Sequence, residues 1–219
     1  MVNYSDINKE IIDLWKEFPN ECGNRIPLLF PPSEDGCILF ISFNPSFPPA
    51  LANQNWEHPY DIERLFNINA DQVIKQEIKT HNSLPYFKPL KDIAGDLNLP
   101  CSHLDIFMLR ETKQETATNV CGNENQLTPF GRRQFDLFIH ALQKSSPKVT
   151  VVINASASRI IKAQLNLSYK SSDGCYYSSD EKINAPFFLA GMLSGQHAMD
   201  TFSRERLVWH IKKILNRTF

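Results

Sequence analysis

Apolar positions along this chain recur with two periods, and the changes of period mark its elements. Ile7, Ile11, Leu14, Trp15 and Phe18 repeat at helical spacing opposite Lys9, Glu10, Asp13 and Lys16, which predicts an outer-layer helix capped by Ser5. A turn-rich stretch around Pro27, Pro31, Pro32 and Gly36 leads to Cys37 to Ile41, a short apolar run that suits a strand buried on both faces. Residues 44–85 are polar and contain prolines, with helical character in part of 60–80. Phe87, Leu90, Ile93, Ala94 and Leu97 then line one face of a helix. Residues 103–109 return to strand character, followed by a polar stretch from Arg110 to Gln126.

Thr128 and Pro129 supply an N-cap and a first-turn proline for a helix carrying Phe135, Phe138, Ile139 and Leu142, which Pro147 stops. Val149 to Ile153 is the third strand, and residues 155–165, with Ile160, Ile161 and Leu165, form the helix after it. Residues 166–186 are irregular, with Asp173-Gly174 as the turn of a hairpin. Phe187 to Ala190 is a fourth strand, a glycine-containing loop runs from Gly191 to Asp200, and Leu207, Ile211, Ile214 and Leu215 line a terminal helix.

Strands that alternate with helices need crossover connections, and these lay helices over a parallel sheet. The expected class is therefore α/β: a three-layer α/β/α sandwich with a mainly parallel sheet of about four strands, in one domain spanning residues 1–219. Ligands of such sheets bind beyond the carboxyl ends of the strands. That rule selects the loops at 42–58, 110–128, 154–158 and 191–201.

Composition narrows the chemistry. Hydrophobic residues make up 42% and charged residues 21%, both globular norms, and no apolar run is long enough to cross a bilayer, so no membrane association is expected. The N-terminus lacks the apolar core of a secretory signal, which predicts a cytoplasmic protein. Five widely spaced cysteines, at 22, 37, 101, 121 and 175, argue against a thiolate metal site and for reduced structural thiols. No metal and no cofactor is expected. Phosphate-loop, dinucleotide, nucleophile-elbow and zinc-helix signatures are missing, which disfavours nucleotide hydrolysis, hydride transfer and serine-esterase chemistry. A net charge of −1 still leaves room for a local basic face.

Two of the selected loops concentrate polar chemistry. Ser42-Phe43-Asn44-Pro45-Ser46 puts a carboxamide directly after a buried strand, and Pro45 holds Asn44 in extended geometry. Asn44 offers a donor and an acceptor for a water or a base edge, although Asn-Pro is also a common turn starter. In the last loop, Gly195 allows close backbone approach, while Ser194, Gln196, His197 and Asp200 bring four kinds of polar contact. His197 suits proton transfer or stabilisation of an anion, and a structural role stands beside that. Phe87 either stacks on a base or packs on the buried face of its helix. Arg110, with Lys113, Arg132, Arg133, Arg159, Arg204 and Arg206, forms either a phosphate-facing rim or ordinary solvated charge.

Residues Ile38 to Ser46 resemble the first motif of the mismatch-specific and thymine-DNA glycosylase branches of the uracil-DNA glycosylase-like superfamily, a hydrophobic strand followed by Gly-Ile-Asn-Pro-Gly or a close relative. Pro147 to Ala155 is similar to that family's central strand and the small-residue turn after it, and the last strand and loop stand in the place of its His-Pro-Ser motif. In element order the resemblance covers residues 37–216, and at residue level it is close only in the first motif. Ser42 and Phe43 stand where Gly and Ile are usual, and Leu193-Ser194-Gly195-Gln196-His197 replaces the start of His-Pro-Ser.

The resemblance implies a monofunctional DNA glycosylase that hydrolyses the N-glycosidic bond of a flipped damaged or modified base, with DNA as its partner and no obligate protein partner. It implies Asn44 as the water-positioning residue and His197 as the stabiliser of the departing base from a shifted position. Ser42, Phe43, Pro45, Ser46, Arg110 and Asn154 would line the substrate site, Phe87 would stack on the base, and Ser194, Gly195, Gln196 and Asp200 would meet the strand. Two alternatives stand beside it: an inactive module of the same fold that binds nucleic acid or a nucleotide, and an unrelated α/β enzyme acting on a small metabolite.

Overall fold

The structure is a computed structural model, and it describes residues 1–23, 25–46, 69–195 and 198–216. In chain order the elements are α1 (Ser5–Glu17), α2 (Pro19–Cys22), β1 (Ile38–Ser42), α3 (Ala70–Ser83), a 3₁₀ turn (Pro85–Phe87), α4 (Lys88–Asp96), β2 (Cys101–Asp105), α5 (Gln114–Cys121) and α6 (Pro129–Ser145). There follow β3 (Val149–Val152), α7 (Ala155–Gln164), β4 (Ser168–Lys170), β5 (Cys175–Tyr177), β6 (Phe187–Leu189) and α8 (Thr201–Leu215).

The strands form one sheet in the order β2-β1-β3-β6-β5-β4. The pairs β1 with β2, β1 with β3, and β3 with β6 are parallel, while β5 runs antiparallel to β6 and β4 to β5. The α/β class holds, but the sheet has six strands, not four. The hairpin foreseen at Asp173-Gly174 adds β4 and β5 to the sheet, and Gly174 takes a positive φ of 69° in its turn. These strands escape a hydrophobic reading because each has three residues and β4 is exposed along its whole length.

Successive residues of a strand face opposite ways, and both faces here are covered. Leu39, Ile41, Leu104 and Val152 join one apolar cluster with Ile11 of α1, Phe138 of α6 and Ile160 of α7. Ile38, Phe40, Val149 and Val151 join a second with Leu90 and Ile93 of α4 and Ile211 of α8. This explains why all five residues of β1 are buried and why its sequence shows no alternation. Among the described residues, no helix is long and apolar enough to cross a membrane.

Several local expectations are corrected. Ser5 is the first residue of α1, not its cap; Asn3 Oδ1 accepts from the Ser5 N–H at 2.8 Å. Of the helical character expected in 60–80, the described part is α3, from Ala70, and residues 60–68 lie outside the described residues. The polar stretch from Arg110 to Gln126 contains the helix α5, which buries Ala117 and Cys121 and packs a half-buried Val120 against the core. The strand expected at 103–109 starts and ends earlier, at Cys101 and Asp105. Residues Ile106 to Leu109 are buried but leave the sheet.

The side chain of Gln134 on α6 explains that departure. Its Oε1 accepts from Met108 N–H at 2.8 Å and Leu109 N–H at 3.1 Å, so the backbone is satisfied without a neighbouring strand. Gln134 is itself fully buried. Gln134→Leu therefore leaves two buried amides without an acceptor, and chemical denaturation should show a loss of about 2–6 kcal/mol at roughly 1–3 kcal/mol for each.

Candidate functional site

The parallel strands end in register. Ser42 of β1 pairs with Asp105 of β2, and Ile41 pairs with Val152 of β3, so their carboxyl ends share one edge. A cavity of about 500 Å³ opens there, lined by residues from all four loops selected by the strand-end rule: Asn44, Arg110, Asn154 and Ser194 among them. Such a volume falls within the range of small-molecule sites, about 300–1,000 Å³. α3 and the 3₁₀ turn close another side with Glu77, His81, Tyr86 and Phe87.

Asn44 is held by its amide nitrogen. Nδ2 donates to the carbonyls of Glu111 at 2.7 Å, Leu109 at 3.1 Å and Pro45 at 3.1 Å. Three oxygens converging on one end of the carboxamide assign that end as the donor and leave Oδ1 to act as an acceptor. The carbonyls are fixed in turn: Glu111 N–H donates to Pro45 O at 3.0 Å, and the Glu111 carboxylate pairs with Arg25 at 2.6 Å. The Asn-Pro sequence is thus more than a turn starter, because the loop after β2 anchors the side chain.

The cavity that holds Asn44 also holds a buried polar group, of which only Ser42 was expected from the sequence. The Ser42 hydroxyl donates to Asp105 Oδ1 and lies 2.9 Å from His103 Nε2. A hydroxyl has one proton, so when Ser42 donates it to Asp105 the imidazole N–H is the donor to Ser42. Burial pushes the Asp105 carboxyl up to about 7, against opposing pulls from the Ser42 hydrogen bond and the Arg110 charge. Burial holds His103 down at about 4. His81 is held at about 3 by burial, reinforced by the nearby charges of His103, Lys91 and Arg110. Both imidazoles are therefore neutral at pH 7. Among the described residues, no three such side chains are arranged to hold a metal ion.

The signal for this group was present in the sequence. His103 and Asp105 are two apart in a strand, so they share a face, and ionisable residues are rare on the inner face of a buried strand. Phe87 sits against this same group, with ring centroids 4.3 Å from His81 and 5.3 Å from His103. It is half-buried, packs against the second apolar cluster and lines the cavity.

Other expected residues also have structural partners. Phe43 borders the cavity and packs into the core, edge-on to Phe107 at 5.2 Å. Asn154 borders the cavity, but its Oδ1 caps α7 by accepting from Ser156 and Ala157 N–H, and its Nδ2 donates to Gln114. Asp200 caps α8 through Ser203 N–H at 2.9 Å. Arg110 is no part of a solvent-facing phosphate rim: it is buried and ion-paired with Glu77, joining α3 to the loop that fixes Asn44. Burial raises the Glu77 carboxyl, opposed by the charge and hydrogen bond of Arg110. Several other arginines of that rim are paired on the surface, Arg133 with Glu17 and Arg159 with Glu124. Pro45, Ser46, Ser194 and Gly195 line the cavity, whereas Gln196 and His197 lie outside the described residues. No protein-family model matches the chain, and no curated protein matches it significantly.

Proposed function

We propose that this chain is a DNA glycosylase-like hydrolase acting on the N-glycosidic bond of a base flipped into the strand-end cavity, within a three-layer α/β/α fold. The observation that carries the reading is the Asn44 carboxamide, locked through its nitrogen to the Leu109 and Glu111 carbonyls on a cavity it shares with Phe87. An acceptor oxygen fixed in this way can orient a water towards the sugar C1′, while the aromatic face supports the base. The departing base takes negative charge, and the neutral acid of Asp105, the neutral His103 and the Ser42 hydroxyl are the groups available to its polar edge. Apolar clusters on alternate residues of β1 and β3 support the three layers. Five free cysteines suit a cytoplasmic setting.

The direct test is release of free base from oligonucleotides containing uracil, hypoxanthine or 5-hydroxymethyluracil, followed by chromatography. Release from at least one substrate is expected; binding without release across the panel would reassign the chain to an inactive module of the same fold. Phe87→Ala should weaken binding of the released substrate by about tenfold, since loss of one base–aromatic stack costs roughly 1–3 kcal/mol. A KM that does not move would remove Phe87 from the base-binding wall.

A further inference from the structure

We propose that the outward face of α8 binds a single-stranded polynucleotide, as a second site beside the strand-end cavity. Phe202 and Trp209 are 73% and 60% exposed on this helix, although its opposite face packs into the core through Val208, Ile211 and Ile214. Phe202, Arg206, Trp209 and Lys213 fall within a wedge of about 60° and span about 16 Å along an ideal helix. They form an exposed row in which aromatic and cation alternate. Lys213 Nζ lies 4.8 Å from the centroid of the Trp209 ring.

Charge favours a polyanion over an apolar partner. The chain as a whole carries −1, yet α8 holds Arg204, Arg206, Lys212 and Lys213 against a single acid, Glu205. From α4, Asp92 faces Arg204 at 3.6 Å and Asp96 borders the same groove as Lys212, so the excess positive charge rests mainly on Arg206 and Lys213, the two cations of the aromatic row. Exposed aromatics interleaved with cations are the combination that holds single strands, with bases stacking on the rings and phosphates meeting the charges. A duplex keeps its base faces stacked internally and offers nothing to Phe202 or Trp209.

The position of this row relative to the cavity fits a strand that runs past both. A second cavity, of about 490 Å³, lies along α8 and is bordered by Leu193, Met199, Trp209 and Lys212. The next residues after Leu193, Ser194 and Gly195, line the strand-end cavity, so one loop walls both spaces. A nucleotide flipped into the first cavity leaves its flanking strand to pass over this loop towards α8. That continuity rests on the proposed reading of the cavity; binding of the strand by α8 does not.

The test is fluorescence anisotropy of a labelled oligothymidylate with the full chain, titrated at several salt concentrations. Phe202→Ala with Trp209→Ala should weaken binding at least tenfold. Arg206→Gln with Lys213→Gln should lower the salt slope by about 1.4, at roughly 0.7 per cation for single strands. Lys9→Gln on α1 should stay within about twofold of the unaltered chain. All four α8 positions are exposed, and thermal melting confirms that the variants fold. Absence of binding by the unaltered chain, or affinity that survives loss of both aromatics, overturns the proposal. So does concentration-dependent self-association that the aromatic variant abolishes while no oligonucleotide binds, since the row is then an interface between copies. Base release that fails while α8 binding persists overturns the reading of the cavity alone.

Discussion

Replacing Asn44 by alanine is expected to lower the single-turnover rate of base release by about 10²–10⁴-fold, the range for loss of a positioned group that activates a reacting proton or water. Affinity for the oligonucleotide should change little, because Oδ1 meets the water, not the base. The same substitution removes the donor from the Leu109, Glu111 and Pro45 carbonyls. A stability loss of about 1–2 kcal/mol accompanies that, limited by the partial exposure of the site. Asn44→Asp gives a sharper comparison: a carboxylate keeps the oxygen but turns a second acceptor towards those carbonyls, so it should be the less stable of the two variants. A rate within threefold of the unaltered chain, with melting unchanged, removes Asn44 from the chemistry.

Asp105→Asn should alter both stability and activity with a pH dependence whose sign is fixed by burial. The carboxyl sits at about 7 when folded, against roughly 3.9 in an unfolded chain. Between these values the folded state holds a proton that the unfolded state has lost, so this group withdraws stability as pH rises from about 4 to 7. Below 4 the penalty vanishes, and above 7 it is constant. His103 and His81 act with the opposite sign. Their folded values of about 4 and about 3 lie below the ordinary imidazole value near 6.5, so they withdraw stability as pH falls below 6.5.

Asparagine removes the carboxyl contribution alone and can still accept from Ser42. Urea denaturation should therefore show Asp105→Asn gaining a few kcal/mol at pH 8 and almost nothing at pH 4. Base release by the unaltered chain should decline as pH rises through about 7, because a carboxylate repels the departing base anion where the neutral acid donates to it. The asparagine variant should be flat across that range. Equal stability gains at both pH values, or an unaltered rate profile, would show that the carboxyl does not titrate in the folded site.

The sequence made the sheet and the edge that carries the site legible because β1 and β3 are continuous apolar runs, and such runs need cover on both faces. Asn44 was legible for the same reason, as the first carboxamide beyond a buried strand. Its anchoring was not, because the Leu109 carbonyl ends a segment that reads as strand but is held by Gln134, and the Glu111 carbonyl lies in the polar stretch after it. Nothing local marks a glutamine on a helix 26 residues away as the acceptor for Met108. Arg110 reads as a phosphate-facing cation until α3 brings Glu77 to it, a pairing across 33 residues. His103 and Asp105 were hidden differently. Apolar residues dominate the pattern from Leu104 to Leu109, and two ionisable residues sharing one strand face are a chemical signal that this pattern averages away.

The central claim is that one base enters the strand-end cavity, stacks on Phe87 and presents its sugar to Asn44. It is tested most directly by a crystal structure of the chain bound to an oligonucleotide whose target nucleotide carries a 2′-fluorine that blocks bond cleavage. The base is expected out of its strand, within about 4 Å of the Phe87 ring, with a water between Asn44 Oδ1 and C1′. A bound strand with every base still stacked and the cavity holding no base would contradict it.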